Sequence, residues 1–353
     1  MGKIIFLILV IALSVAGVVY VFKNSISEKI VDPIAKEQTI FEKPFEKYSY
    51  KRLRKTTVPA GAITLGEVIK EDEVFTSRMF YFKDPSAGSG QAKKVSGLLN
   101  LPVKEGTYPV IIMFRGFVER DSYTTGEGTR RTAEEFARNG FITLAPDFLG
   151  YGESDKPSEK SIEERFQTYT AALAMLVSVK NLNAALSKDS EITQTADIQS
   201  LGIWAHSNGG QIALSTLAVT GRKIPTVLWA PVTKPFPYNI LYFTDEFDDE
   251  GKALRKVVAD FEREYDVYDY SVVRYLSWIK SPLQLHQGTV DEAVPQRWSD
   301  QFDELLTKKE IEHEYFIYPG ENHNFNNGSW PLAVSRSIAF YQSNFATVSA
   351  TLQ

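Results

Sequence analysis

Short, almost uninterrupted apolar runs alternate with helix-period segments through the last two thirds of the chain, at residues 109–114, 141–145, 201–204, 226–229, 283–286 and 315–318. Strands that are apolar on both sides and separated by helices build a parallel sheet covered on both faces, so the expected fold class is α/β. Between two of the runs, Ile162, Phe166, Tyr169, Leu173, Leu176 and Val179 recur at three- and four-residue steps. That spacing predicts an amphipathic helix with Ser161 as its N-cap. Ahead of the alternation, residues 74–82 and 94–101 flank a stretch of turn formers at 84–90 and read as an opening antiparallel hairpin. No repeat of 20 to 50 residues is present, which excludes a propeller or a solenoid.

The amino-terminal end obeys a different rule. Residues 4–22 are 19 uncharged, mainly apolar positions between Lys3 and Lys23, close to the roughly 20 that a helix needs to cross a bilayer. Residues 1–23 are therefore a membrane anchor or a signal sequence. The anchor is preferred, because signal-peptide apolar regions run about 7 to 15 residues and the small-residue cleavage pattern is poor here. Phe6 stands where an N-myristoylation signal needs Ser or Thr. Lys3 on one flank, with Lys23 and Lys29 on the other, leaves orientation weakly determined. Residues 24–66 are polar and mixed in charge, ending in the basic run Lys51, Arg52, Arg54, Lys55. They read as a spacer, packed at most in part on the body that follows at 67–353. The expected location is membrane-anchored or exported, with the body outside the cytoplasm.

Charge and residue usage remove several function classes. With 39 Lys plus Arg against 44 Asp plus Glu, the net charge of −5 supplies no basic field for gripping nucleic acid. The absence of Cys excludes disulfides, thiolate metal sites and a thiol nucleophile. Only four histidines are present, His206, His286, His313 and His323. A multi-histidine metal centre would need most of them, and no two form the helical pair of a metalloprotease.

Chemistry concentrates where the run 201–204 enters Ala205-His206-Ser207-Asn208-Gly209-Gly210 and a helical pattern begins at once with Gln211, Ile212, Leu214 and Leu217. A serine on a sharp strand-to-helix turn projects its hydroxyl above the sheet, with the next backbone N–H and the helix N-terminus facing any oxyanion that forms. A plain helix cap by Ser207 is the alternative reading. A nucleophilic serine needs a base, and the base needs an orienting carboxylate. His286 and His313 fall in or beside strand patterns, where packing is the default, and His206 adjoins the serine with its side chain turned away. His323, in the polar loop 319–325 after the last strand, is left as the base. Asp291 follows the run 283–286, and an acid at the carboxyl end of the next-to-last strand can reach a histidine after the last one. A turn residue is the alternative for Asp291, and Glu292 beside it is the poorer candidate.

Three segments, AHSNGG at 205–210, HQGTVDEAVP at 286–295 and YPGENHNF at 318–325, in the order Ser, Asp, His, resemble the α/β-hydrolase fold. They resemble in particular the catalytic domain of prolyl-oligopeptidase-type peptidases and their dienelactone-hydrolase-like esterase relatives, over roughly residues 70 to 350. Residues 145–154 (APDFLGYGES) are similar to the family's loop after its fourth strand, and 113–117 (MFRGF) to its oxyanion loop. The resemblance implies a serine hydrolase with Ser207, Asp291 and His323 as catalytic triad. It implies an oxyanion hole made by the backbone N–H groups of Phe117 and Asn208, and no metal or organic cofactor. The family's usual His-Gly is Arg115-Gly116 here, a change in side chain that leaves the backbone donor available.

Three functions stay open: hydrolysis of a carboxylic ester, cleavage of a short peptide, and non-catalytic binding by a hydrolase-like body. The peptidases of the resembled family carry a large propeller, whereas about 50 residues separate the apolar run from the catalytic body here, which favours a small-molecule ester. An insert at about 241–280, rich in aromatic and acidic residues, predicts two helices of a small cap, its aromatics more for packing than for substrate contact. The oligomeric state is left open.

Overall fold

Strands β1 (Ile63–Glu71), β2 (Phe75–Asp84), β3 (Lys93–Pro102), β4 (Gly106–Phe114), β5 (Ile142–Pro146), β6 (Gln194–His206), β7 (Thr226–Trp229), β8 (Leu283–Gly288) and β9 (His313–Tyr318) form one sheet in the order β1-β2-β3-β5-β4-β6-β7-β8-β9. They are seen in a computed structural model that describes residues 43–85, 92–245 and 247–351. β1, β2 and β3 run antiparallel, β3 pairs antiparallel with β5, and every pair from β5 through β9 is parallel. All residues of β5 and β7 are buried, as expected of strands covered on both faces.

The apolar residues of the sheet divide by face. Phe80, Ile112 and Ile203 pack with Leu53 of α1 (Tyr50–Lys55), Leu173 of α3 (Ser161–Ser178) and Leu214 of α4 (Asn208–Thr220). Ile111, Met113 and Trp204 pack on the opposite face with Phe136 of α2 (Arg130–Arg138) and Tyr341 of α6 (Trp330–Thr351). Alternation along β4 and β6 sends successive side chains to opposite faces, which is why one strand feeds both layers.

The expected hairpin is a three-stranded antiparallel arm. β1 escapes the sequence pattern because it is an edge strand with register shifts between Leu65 and Val68 and between Val68 and Lys70, so its polar residues show no clean alternation. The spacer boundary at 66 therefore falls inside β1. Residues from Phe45 onward belong to the body: Tyr48, Tyr50 and Leu53 are buried, and the Tyr50 hydroxyl lies 2.5 Å from Ser215 Oγ. A six-residue helix with four basic side chains reads in sequence as a solvated charge cluster, yet its apolar stripe, Tyr50 and Leu53, points inward.

Ser161 is the first residue of α3 and not its cap; Lys160 occupies the cap position without a side-chain bond, and Glu163 and Glu164 offset the positive helix end. In the 241–280 insert, one helix forms, α5 (Lys252–Glu262), followed by two 3-10 segments, Val267–Tyr270 and Val272–Trp278, in place of a second helix. Its buried aromatics serve packing: Phe261, Tyr265 and Tyr270 cluster with Phe45 and Phe166, and Tyr275 stacks on Tyr50, whereas Phe243, Phe247 and Tyr268 are exposed. The membrane segment expected over 4–22 lies outside the described residues. Among those described, no helix is long and apolar enough to cross a membrane.

Candidate active site

β6 ends at His206 and α4 begins at Asn208, leaving Ser207 alone to turn the chain. It does so at φ 55°, ψ −123°, a conformation costing a non-glycine residue about 1 to 3 kcal/mol and held only when the surroundings over-determine it. The restraints are visible: Ser207 N–H donates to the Trp229 carbonyl at 2.9 Å, and the Ser207 carbonyl accepts from the N–H groups of Gly210 and Val232, each at 2.9 Å. Close approach fixes the neighbours. A Cβ on Gly209 would lie 2.1 Å from the Phe114 carbonyl oxygen, and one on Gly116 would lie 2.8 Å from Ser207 Cβ. The loop after β4 is thereby pressed against the serine.

Two loops converge at the ends of β8 and β9. A Cβ on Gly288 would lie 2.3 Å from the Glu321 carbonyl oxygen, so the bare glycine lets the end of β8 lie against the loop that carries His323. Val290 N–H then donates to the Glu321 carbonyl at 3.0 Å, and His323 Nδ1 lies 2.9 Å from Asp291 Oδ2 and 3.0 Å from Oδ1. Asp291 is also held by the N–H groups of Ala293 (2.9 Å) and Val294 (2.7 Å) on Oδ1 and by Gln287 Nε2 (2.9 Å) on Oδ2. Burial by itself would raise the Asp291 carboxyl. The hydrogen bond and charge of His323, with the Val294 and Gln287 donors, outweigh it and hold the group below the usual carboxylate range. The His323 loop is organised by Glu321, whose buried carboxylate accepts from Asn327 N–H at 2.9 Å and Ser329 N–H at 2.5 Å. There too the backbone donors overcome desolvation and depress the pKa. Among the described residues, Glu292 accepts only from the His323 main chain, at 3.4 Å.

A cavity of about 450 Å³ opens beside Ser207 and is lined by Gly116, Phe117, Asn208, Ile212, Leu254 and Val257, among others. Asn208 is the first residue of α4, so its N–H is one of the four that a helix leaves unpaired at its start. The N–H of Phe117 has no acceptor among the described residues, while its side chain is 71% exposed.

Arg115 is a structural residue. Its guanidinium donates to the Gly116 carbonyl and to the Asp147 carbonyl, both at 2.9 Å, and lies 3.9 Å from the ring centre of Tyr151 and 4.9 Å from that of Tyr123. It ties the loop after β4 to the loop after β5. Arg115→His is expected to change kcat by less than about tenfold, under roughly 1.4 kcal/mol of transition-state stabilisation, because the imidazole keeps one donor and the ring stacking. Steady-state kinetics on a neutral ester of 4-nitrophenol check this, and a larger loss with an unchanged thermal midpoint contradicts it.

The remaining histidines divide clearly. His286 is buried between Tyr318 Oη (2.7 Å) and Gln284 Oε1 (2.8 Å), and burial pushes its imidazole down to about 3. His313 sits at the start of β9 with Asp303 Oδ1 at 3.0 Å. His206 differs from expectation. The sequence reading turns it away from the site, yet its ring centre lies 4.6 Å from that of His323 and its Nε2 is 3.0 Å from the His323 carbonyl oxygen. Burial, then the neighbouring His323, lowers its pKa to about 3, so a neutral ring with Nε2–H donates that bond. Two-residue alternation puts His206 on the face of Trp204, but no local pattern reveals that the 319–325 loop folds over that face.

The sheet order and the strand-to-helix turn define an α/β hydrolase. The chain belongs to the alpha/beta hydrolase fold family, whose model matches residues 109–339. Among curated proteins it is similar to one from Synechocystis sp. (strain ATCC 27184 / PCC 6803 / Kazusa) named as a carboxymethylenebutenolidase, 22% identical over 67% of this chain and 82% of that one. Among solved structures it is similar to acetyl xylan esterase 1 from Thermoanaerobacterium sp. JW/SL YS485, with a TM-score of 0.53, 16% identity, and 85% and 94% of the two chains covered. It is also similar to a puromycin-hydrolyzing peptidase of Mycobacterium tuberculosis, with a TM-score of 0.51, 17% identity, and 77% of this chain but 40% of that one covered.

Proposed function

We propose that this chain is a serine hydrolase cleaving a carboxylic ester through an acyl-enzyme intermediate. Ser207 Oγ attacks the acyl carbonyl while His323 takes its proton, and Asp291 fixes the Nδ1–H tautomer and stabilises the imidazolium. The oxyanion lies between the N–H groups of Phe117 and Asn208, which are oriented before the reaction begins. His323 then returns its proton to the departing alkoxide, and water repeats the cycle on the acyl-enzyme. The observation that carries the reading is the Asp291–His323 hydrogen bond, taken with the strained backbone of Ser207 at the head of α4. An ester is favoured over a peptide by the apolar part of the cavity lining, Phe148, Leu149, Ile212, Leu254 and Val257, which suits the hydrocarbon part of an acyl or alcohol group. A fluorophosphonate probe should label Ser207, and 4-nitrophenyl acyl esters should be turned over faster than aminoacyl or dipeptidyl anilides. Preferential anilide turnover would favour the peptidase reading, and absence of both labelling and turnover would leave a binding protein.

We also infer that residues 4–22 anchor the chain in a membrane, on the strength of their uncharged length. The full-length protein is expected to fractionate with membranes, and a chain lacking 1–23 to be soluble and active. Recovery of the full-length protein, amino terminus intact by mass spectrometry, wholly in the soluble fraction would overturn the anchor.

A further inference from the structure

The nucleophile and its base are held by separate sets of bonds. The Ser207 turn is fixed by the main chain of Trp229, Gly210 and Val232. The loop that carries His323 is tied to itself through Asn322 Oδ1, which accepts from the N–H groups of Asn324 (3.1 Å) and Asn326 (3.0 Å), and to the end of β8 through Val290 and Asp291. None of these bonds sets the distance between the two groups. Among the described residues, one hydrogen bond joins the turn at 205–210 to the loop at 319–325, the 3.0 Å contact between His206 Nε2 and the His323 carbonyl oxygen. A carbonyl oxygen only accepts, so Nε2 carries the proton.

This link is short and restrained. His206 is covalently next to Ser207, and its acceptor is the main chain of the base itself, so a single side chain spans from the nucleophile's turn to the base. The His206 ring lies 6.2 Å from that of Trp204, 19° from parallel, and 4.6 Å from that of His323. Contact with two rings limits its rotation. Burial keeps the imidazole neutral, with its pKa down at about 3, so no second cation stands beside the imidazolium that forms on His323. At its other end the His323 peptide has only the 3.4 Å contact of its N–H with Glu292, which leaves the carbonyl end as the stronger restraint. A general base works within about 2.6 to 3.2 Å of the group whose proton it takes, and a misplacement of about 1 Å can cost about 100-fold. We infer that His206 is a positioning residue, its Nε2–H bond to the His323 carbonyl setting the separation between the Ser207 turn and the base. The inference rests on the serine-hydrolase reading of Ser207 and His323, and gives the histidine beside the nucleophile a part in which it transfers no proton.

Two variants divide the bond from the ring. His206→Phe keeps a ring against Trp204 and loses the donor, whereas His206→Gln keeps an N–H donor and loses the ring. With 4-nitrophenyl butyrate as substrate, His206→Phe is expected to lower kcat about 100-fold with KM within about threefold of the parent, and His206→Gln to recover kcat to within about fivefold. Equal losses in the two variants would assign the effect to ring packing and overturn the inference, as would a kcat for His206→Phe within about fivefold of the parent. The same substitution in a His323→Ala background shows what is being positioned. There His206→Phe is expected to change the residual turnover, or the residual rate of fluorophosphonate labelling, by less than about fivefold, because the base whose place it fixes is gone. A larger loss would mean that His206 supports the serine turn or the fold, and the inference would fail. His206→Leu, equally without a donor, serves in both backgrounds should His206→Phe fail to fold. Absence of both turnover and labelling in the parent protein would remove the serine-hydrolase reading and this inference with it; an active parent with unaffected variants removes the inference alone.

Discussion

Ser207→Ala is expected to lower ester turnover by about 10⁶-fold, the scale of loss when a nucleophile working as one unit with its base is removed, and to abolish labelling by a fluorophosphonate. The fold should survive. Ala keeps the Cβ, so the backbone strain at φ 55° is unchanged, and the restraints on that turn come from the main chain of Trp229, Gly210 and Val232, not from the hydroxyl. A thermal midpoint within a few degrees of the parent is the accompanying result. The pairing of the two readouts matters, because a variant that lost activity by unfolding would lose its midpoint too. Persistent labelling or turnover above about a hundredth of the parent would mean that another hydroxyl is attacked, and the account of the site would fail.

The α/β architecture was legible because it rests on a period. Strands buried on both faces are largely apolar, and β4, β5 and β7 announce themselves as such runs. The Ser207 turn was legible for a steric reason, since the small residues around it are demanded by contacts such as Gly209 against the Phe114 carbonyl. Adjacency of Asp291 and His323 followed from strand order, as each lies just past one of two neighbouring parallel strands. What escaped detection depends on distant parts of the chain. β1 is an edge strand whose polar side chains face water, so nothing in its own composition separates it from a loop. Tyr50 and Leu53 are buried because α4 offers Ser215 and Ala218 to the short helix that carries them, and a pattern of two apolar residues among four basic ones cannot declare that.

Asp291→Asn is expected to retain the fold and lose about 10⁴-fold in turnover, some 5 kcal/mol of transition-state stabilisation. The reason lies in how the two carboxylate oxygens are used. Oδ1 accepts from the Ala293 and Val294 N–H groups, whereas Oδ2 lies 2.9 Å from both Gln287 Nε2 and His323 Nδ1. In the Asn side chain the carbonyl oxygen must take the place of Oδ1, since an amide NH₂ cannot face two backbone donors. The NH₂ is then turned toward His323, where it can only donate. Nδ1 must accept, the ring proton moves to Nε2, and the imidazole can no longer take a proton from Ser207 Oγ. Neighbouring carboxylates serve as controls. Glu292→Gln is expected to cost less than tenfold, because Glu292 meets only the main chain of His323, at 3.4 Å. Asp147→Asn should affect stability before chemistry, because Asp147 is buried among the hydroxyls of Ser96 (2.6 Å), Tyr123 (2.6 Å) and Thr125 (3.0 Å). Near-normal kcat in Asp291→Asn beside a collapse in Glu292→Gln would show that a different acid orients the base, and the tautomer argument would have to be transferred to it.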